Sequence, residues 1–387
     1  MENKYIALWK HLGLDLENHD RLLQSLSGYY KEVVLRQKKR STEMNYFDLV
    51  VSEIHGLRIE ELHKLRTSGN KVIGAFCLYV PEELVYAANA TMVDLCGGAN
   101  FPIQDAEAVL PRDLCPLIKS FFGFKIGRTC PYFESCDLLV GETTCDGKKK
   151  VYEILNDYAP TYVMEIPHKP FTPQAKKLWL GEMKTFKKEL EKLTGNEITT
   201  QNFRDSIRIV NEKRKALGRL YEYRKNSPSP ISGLDALLVT QIGFYDDVQR
   251  FTDKTSELCE ELEKRVQEGG GVTDIDVPRL MTSGCPMAIP NWKVHSITEE
   301  SGASVVVEES CTGTRYFSDL VTPKGETMND LLEALVEKYS KIPCACFTPN
   351  DARVERILEM SSDFKVDGVI YYVFTILSYL QYRSSKG

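Results

Sequence analysis

KVIGAFCLYVPEELVYAANATMVDLCGGAN (residues 71–100) holds two short apolar runs separated by one segment with the character of a helix. The runs are KVIGAFC and TMVDLC, and the separator PEELVYAANA carries proline where the first turn of a helix tolerates it. A strand–helix–strand unit of this kind implies two parallel strands joined by a crossover helix. The stretch therefore predicts an α/β fold.

The same alternation continues after residue 100 and returns near the end of the chain. The first half is completed by strands DLLVGETT and TYVMEI, and the second half contains strands RLMTSG, ASVVVEES and DGVIYYVF. A long amphipathic stretch between them predicts successive helices, and GGG at 269–271 indicates a linker. We expect two Rossmann-like parallel-sheet halves joined by a helical arm. The expected domains are a helical segment (1–70), a cluster-binding α/β domain (71–170), the arm (171–271) and a second α/β domain (272–387).

Composition narrows the class of protein. The chain has 387 residues, 42% hydrophobic and 27% charged, with a net charge of −6, which disfavours binding to nucleic acid through phosphate contacts. The first residues, MENKYIALWK, lack the apolar core of a secretory signal, and the longest apolar run, GVIYYVFTILSYL, is too short to cross a bilayer. We expect a cytoplasmic protein whose thiols stay reduced.

Most of the eleven cysteines lie at the ends of strand-like runs or at helix starts. In an open α/β sheet the carboxyl ends of the strands form the edge at which ligands bind. Cys136 and Cys259 are expected to be small buried hydrophobes. The nine that fit the edge pattern are Cys77, Cys96, Cys115, Cys130, Cys145, Cys285, Cys311, Cys344 and Cys346.

Four interpretations of these thiols compete. Burial as hydrophobes does not explain why they recur at strand ends. Zinc usually takes paired CxxC ligands, which are missing from this sequence, and one catalytic cysteine would leave the other thiols unexplained. Iron–sulfur ligation explains the set best, because helix N-termini favour thiolate at Cys115, Cys130 and Cys145. The lysines of DGKKK (146–150) would add positive charge beside an anionic cluster, although a lysine run alone is typical of a solvated helix start.

Other nucleotide and cofactor motifs are missing from the sequence. It has no GxxxxGK[ST] P-loop, so we expect no ATP binding through one, and no GxGxxG follows a strand.

Several longer segments resemble one known family. CLYVPEEL, VLPRDLCPLIKS, GRTCPYFESCDLLVGETTCDGKKK, EESCTGTRY and CACFTPN are similar to the double-cubane-cluster anaerobic reductases. These belong to the 2-hydroxyacyl-CoA dehydratase and benzoyl-CoA reductase superfamily. The resemblance runs from about residue 71 to 374 and implies two Rossmann-like halves, a buried cluster and a homodimer.

The resemblance also implies a ligand set. The wider superfamily holds one 4Fe–4S cluster with three thiolates, two of which correspond to Cys115 and Cys145, while the third follows the last strand. The double-cubane branch carries an 8Fe–9S cluster and needs about six thiolates. The first candidates for the additional ligands are Cys96, Cys130, Cys311 and Cys346. The second candidates are Cys77, Cys285 and Cys344.

The end of the chain departs from the family pattern. Where the family continues with a segment close to LQFCH, this chain has TILSYLQYRSSKG. Shifting the reading frame of a back-translated tail by one base gives LQFCHTYNIEAAK, so we expect a frameshift to be the origin of this tail. One cluster ligand and the closing elements of the second half would then be missing.

The function implied by the resemblance is low-potential electron transfer to a small substrate, with electrons supplied by a separate ATP-hydrolysing iron–sulfur reductase. Glu142, Glu308 and Glu309 follow strands beside cysteines and are candidate proton donors, or equally charged strand-end residues. One alternative is a 2-hydroxyacyl-CoA dehydratase subunit with a single 4Fe–4S cluster. The other alternative is an inactive product of a damaged gene.

Overall fold

A computed structural model describes residues 4–95 and 97–374 of the chain. Two compact units make up the fold, and each draws on three separate stretches of sequence. Unit 1 comprises Met1–Leu23, Glu53–Asn211 and Asp319–Pro349. Unit 2 comprises Gln24–Ser52, Glu212–Ser318 and Asn350–Gly387.

Helices and strands alternate in both units. The helices are α1 (Ile6–His11), α2 (Leu16–Val33), α3 (Met44–Ser52), α4 (Leu57–Thr67), α5 (Glu82–Ala87), α6 (Ile103–Ala106), α7 (Pro116–Ile126), α8 (Pro131–Ser135), α9 (Asp146–Leu155), α10 (Pro173–Thr194), α11 (Thr200–Tyr223), α12 (Gly233–Ile242), α13 (Val248–Gln267), α14 (Lys293–Glu300), α15 (Thr314–Phe317), α16 (Met328–Ser340) and α17 (Asp351–Asp363). The strands are β1 (Lys71–Ala75), β2 (Ala90–Asp94), β3 (Leu138–Glu142), β4 (Thr161–Met164), β5 (Arg279–Gly284), β6 (Ser304–Glu309) and β7 (Gly368–Tyr372).

Unit 1 is built on a parallel sheet with the strand order β2-β1-β3-β4. The central strands β1 and β3 bury four of their five residues, as expected of parallel strands covered on both faces. The chain leaves β1 toward β2 on one side and β3 toward β4 on the other. The direction of winding therefore reverses between β1 and β3, and such a reversal creates a crevice at the carboxyl ends of the strands.

The segment 319–349 returns to unit 1 after more than a hundred residues and completes its core. Helix α16 packs on α10, and the Tyr339 hydroxyl donates to the buried Glu83 carboxylate at 2.9 Å. Phe347, just after α16, packs against Tyr79 and Trp179, with ring centroids 5.7 and 6.4 Å apart respectively. These contacts place the CACF segment next to the loop that follows β1.

Unit 2 contains a second parallel sheet with the strand order β6-β5-β7. All six residues of β6 are buried, and helices α12 and α14 pack against that strand. At the end of β5, Gly284 has φ of +130°, and a Cβ there would lie 1.9 Å from the Tyr372 carbonyl oxygen. Only glycine fits this position, because β5 and β7 approach so closely there.

The prediction of an α/β fold with parallel sheets is confirmed, and the strands and helices expected in the two alternations are present. The proposed domain limits at 70, 170 and 271 remain a prediction. Across the described ranges 4–95 and 97–374, no helix has the length and apolar character needed to cross a membrane.

Candidate functional site

The crevice of unit 1 is lined by residues that follow its two central strands. Cys77 comes two residues after β1, Glu142 is the last residue of β3, and Cys145 lies three residues beyond it. Because β1 and β3 are neighbouring parallel strands, these side chains emerge at the same edge of the sheet. Cys77 and Cys145 therefore lie at the carboxyl edge of this sheet, where the direction of winding reverses.

Cys115 and Cys145 occupy equivalent positions, each being the residue that precedes the first turn of a helix, α7 and α9 respectively. Proline at the first position of α7 fixes the backbone for this start. Burial raises the pKa of the Cys115 thiol. The backbone N–H groups of Ile118 and Leu117 act in the opposite direction, and nearby Cys145 raises that pKa further. The two thiols therefore lie within electrostatic range of one another.

A charged network lies at the same edge. The Glu142 carboxylate is fully buried, and it accepts hydrogen bonds from the Lys148 ammonium, from the Thr144 hydroxyl at 2.8 Å and from the Tyr152 hydroxyl at 3.2 Å. Burial alone would lower the pKa of Lys148, but the Glu142 carboxylate, with Tyr152 and Cys77, holds it well above its usual value. Lys148 is therefore a stable cation beside the thiols.

Cys344 and Cys346 are brought to this edge by the CACF segment. The Thr348 N–H donates to the His168 carbonyl oxygen, and the His168 Nε2 donates to the Thr143 carbonyl oxygen, both at 2.9 Å. The hydrogen bond to Cys344 and burial raise the pKa of the Cys346 thiol, and Cys77 and Glu142 act in the same direction. Cys77 and Cys344, which sequence reasoning kept in reserve, thus accompany Cys346 in unit 1.

Cys130 lies elsewhere in unit 1, before the short helix α8. Burial raises the pKa of its thiol to about 11. It lies within electrostatic range of the Cys136 thiol, which donates to the Tyr132 carbonyl oxygen at 3.1 Å. Cys96 falls between the two described ranges.

Unit 2 carries Cys285 and Cys311 after β5 and β6. The Cys285 N–H donates to the Tyr372 carbonyl oxygen at 2.8 Å, and the Arg315 Nη1 lies 3.8 Å from the Cys311 sulfur. The Arg315 guanidinium also donates to the buried Glu309 carboxylate, which Ser283 and Arg353 contact as well.

Glu308 is the centre of a buried ion-pair network in unit 2. The Arg224 guanidinium donates to both carboxylate oxygens at 2.7 Å, and the His295 Nε2 lies 2.9 Å from the Oε1. Burial alone would raise the pKa of Glu308, but Arg224 and His295 lower it to about 2. Burial would also raise the pKa of Glu309, but the guanidinium groups of Arg315 and Arg353 lower it. Both carboxylates are therefore ionised at neutral pH and act as hydrogen-bond acceptors, with no proton to donate.

Sequence reasoning missed two residues of the edge in unit 1, Tyr152 and His168. Tyr152 is four residues after Lys148, so helical spacing places both on one face of α9. His168 had no comparable signal, because its role depends on a hydrogen bond to Thr143, 25 residues earlier.

The donor set fits an iron–sulfur cluster in its chemistry. Unit 1 brings five thiols together in linked groups, two of them at helix N-termini, and Cys77 and Cys115 lie within electrostatic range of the Lys148 cation. Thiolates are the usual ligands of such clusters. Within the described part of the chain, no group of three or more Cys, His, Asp or Glu side chains is arranged so that it could hold a single metal ion. A cluster differs in that its thiolates bind separate irons, so its ligands surround a volume.

Comparisons with known proteins identify the family of this α/β protein. The family model for the 2-hydroxyglutaryl-CoA dehydratase D-component matches residues 77–375. The chain belongs to this family, within the 2-hydroxyacyl-CoA dehydratase and benzoyl-CoA reductase superfamily.

Individual relatives span most of the chain. It is 36% identical over 307 residues to a protein of Escherichia coli (strain K12) named as a dehydratase subunit, YjiM, covering 79% of each chain. It is 24% identical over 319 residues to the (R)-phenyllactyl-CoA dehydratase beta subunit of Clostridium sporogenes, covering 80% of each. Identity to a benzoyl-CoA reductase subunit of Thauera aromatica is 20% over 306 residues, or 78% of this chain and 77% of that one. The family is thus one of enzymes, dehydratases and reductases, and the relatives are named as subunits.

Proposed function

We propose that this chain is the iron–sulfur subunit of an enzyme that transfers electrons at low potential to a small substrate. The observation that carries the proposal is a set of five thiols in unit 1, namely Cys77, Cys115, Cys145, Cys344 and Cys346. Three of them, Cys77, Cys115 and Cys346, lie within electrostatic range of the Glu142–Lys148 pair. One 4Fe–4S cluster of this superfamily needs about three thiolates. The larger number favours the 8Fe–9S double-cubane cluster.

The chain's own residues would hold this cluster and control its surroundings. Cys115 and Cys145 are the proposed principal ligands, and Cys77 and Cys346 are added from the crevice of unit 1. Cys96, Cys130 and Cys311 remain candidate ligands on the basis of the sequence alone. When bound, the cluster would store single electrons and pass them on, while burial and hydrogen bonds set its potential.

Proton handling is proposed for Glu142, because its buried carboxylate ends β3 at the edge that carries the thiols and lies within electrostatic range of Cys346. Its hydrogen bonds from the Thr144 and Tyr152 hydroxyls would let a proton move among oxygen atoms at the edge of the sheet, beside the fixed charge of Lys148. Glu308 and Glu309 were candidates for the same role. Their ion pairs with arginines suit charge compensation inside unit 2 better than proton donation.

A dehydratase subunit with one 4Fe–4S cluster is the second candidate. It is favoured by the family description and by the name of the Clostridium sporogenes relative. The electrostatic pairing of Cys115 with Cys145 suits either cluster. The two candidates therefore differ in whether Cys77 and Cys346 bind iron.

Partners follow from the same proposal. The subunit names of the relatives favour an assembly, either a homodimer or a pair with a related subunit. Because this sequence has no P-loop, ATP hydrolysis would belong to a separate iron–sulfur reductase. Reduced thiols in this number fit a cytoplasmic, anaerobic setting.

Counting iron and acid-labile sulfide after anaerobic reconstitution tests the proposal. We expect clearly more than about four irons per chain for the double-cubane cluster. About four irons per chain would favour the dehydratase candidate. Stoichiometric zinc with no iron would contradict both.

A further inference from the structure

Three consecutive lysines open helix α9, and their side chains differ in exposure. Lys148 is 12% exposed, whereas Lys149 and Lys150 are 38% and 79% exposed. Lys149 pairs with Asp146 at 3.2 Å and Lys150 with Glu153 at 2.8 Å, both on the surface of the helix. Only one of the three cations is therefore directed to the crevice of unit 1.

Helix stability does not favour a cation at the position of Lys148. A cation in the first turn of a helix opposes the positive end of the helix dipole. A buried ion pair such as Lys148–Glu142 adds little net stability over well-packed hydrophobic residues. Stability alone therefore gives no reason to keep a cation at this place.

The surroundings of Lys148 supply a reason. The cation lies within electrostatic range of the Cys77 and Cys115 thiols, and its ammonium contacts the carboxylate of Glu142. Reduction of a cluster held by thiolates adds negative charge to a site of low dielectric constant, where charges interact more strongly than in water. A fixed cation on the wall stabilises the reduced state, and a fixed anion opposes it.

We propose that Lys148 and Glu142 together set the reduction potential of the cluster, with Lys148 favouring reduction and Glu142 opposing it. This inference rests on the proposed function, because it needs a cluster bound at this edge. Lys148 then acts on the cluster through its charge and does not bind iron. The other two lysines of the run have no part in it.

Anaerobic redox titration of the reconstituted protein, followed by visible absorbance, tests the inference. For Lys148→Met we expect the ratio of reduced to oxidised cluster at a fixed potential to fall at least tenfold. This corresponds to a midpoint more negative by about 59 mV for a one-electron couple. Lys148→Arg keeps the charge and should restore the potential. Lys149→Met is the matched control and should titrate like the wild type.

Glu142→Gln is the opposite test. It removes the anion and leaves the Lys148 cation in place, so the midpoint potential of the cluster should move to more positive values. Loss of one partner of a buried pair can prevent folding. The double variant Glu142→Gln/Lys148→Met removes both charges and should titrate between the two single variants. Iron content and thermal unfolding verify that each variant is folded and loaded.

Several results would overturn the inference. They are an unchanged potential in Lys148→Met, movement of both single variants in the same direction, or an equal effect of Lys149→Met. If Lys148→Met does not fold, an unchanged midpoint potential in Glu142→Gln would overturn the inference instead. A wild-type chain that binds no cluster would instead contradict the proposed function, and the inference with it.

Discussion

Cys115 and Cys145 each precede the first turn of a helix of unit 1, and the two thiols are close enough for Cys145 to raise the pKa of Cys115. Both helices, α7 and α9, have their N-termini at this edge of the sheet, and helix N-termini stabilise thiolates. The local sequences CPLIKS and CDGKKK therefore present two thiols to one crevice.

We expect Cys115→Ser and Cys145→Ser each to lose most of the iron bound by the wild-type chain, because each removes a thiolate ligand. Cys259→Ser is the control, since Cys259 is fully buried in α13 of unit 2 and acts as a small hydrophobe. Iron content after anaerobic reconstitution measures the difference. Equal iron in the three variants would contradict the assignment.

Cys346→Ser should keep part of the iron, because Cys115 and Cys145 remain in place. Cys136→Ser, also in unit 1, should bind as much iron as the wild type, since its thiol donates to the Tyr132 carbonyl oxygen. Iron and sulfide content, with the electron paramagnetic resonance spectrum of the reduced protein, distinguishes these outcomes. Full retention of iron in Cys346→Ser would favour the single-cluster candidate.

Glu308→Gln should destabilise unit 2 by about 3–5 kcal/mol, because it leaves Arg224 buried without its carboxylate. Urea unfolding followed by circular dichroism measures the loss. Glu263→Gln, which breaks an exposed pair with Arg219, should cost less than about 1 kcal/mol. Equal costs for the two variants would mean that the Glu308 network is not holding unit 2 together.

The same carboxylate predicts a pH dependence of stability. The pKa of Glu308 is about 2 in the folded chain against 4.5 ordinarily, so its contribution is complete above pH 4.5 and is lost as the pH falls toward 2. The shift corresponds to about 3 kcal/mol. Urea midpoints of the wild type should fall over this range more steeply than those of Glu308→Gln. If the urea midpoints of the two proteins fall equally as the pH decreases, the lowered pKa of Glu308 is contradicted.

Purified chain alone should neither bind nor hydrolyse ATP, because the sequence contains no P-loop. Phosphate release measured without any partner protein should equal the buffer blank. Saturable hydrolysis by this chain would place the nucleotide chemistry here and contradict the proposed division between two proteins.

Local sequence patterns were enough to predict the strands, the crossover helices and the helix starts at Cys115 and Cys145. Those features depend on neighbouring residues, such as Pro116 at the start of α7. The partners of Glu308 were not predictable, since Arg224 is 84 residues away in sequence. The position of Cys346 beside Cys77 was not predictable either, because it depends on how the returning segment 319–349 packs in unit 1.

The roles of the three lysines at 148–150 were likewise only partly predictable from the sequence. Its composition suggested three cations near the thiols, but helical geometry directs successive side chains about a hundred degrees apart. Only Lys148 can therefore face Glu142, and Lys149 and Lys150 remain exposed to solvent. The sequence indicates a charged site, and the packing of α9 selects the residue.

Anomalous diffraction at the iron edge, from crystals of the anaerobically reconstituted protein, is the most direct test of the cluster site. We predict strong iron peaks at the carboxyl edge of the unit 1 sheet, bordered by Cys115, Cys145 and Cys77. Iron bound elsewhere in a correctly folded chain, or a loaded protein in which these three thiols have no iron neighbour, would contradict the account.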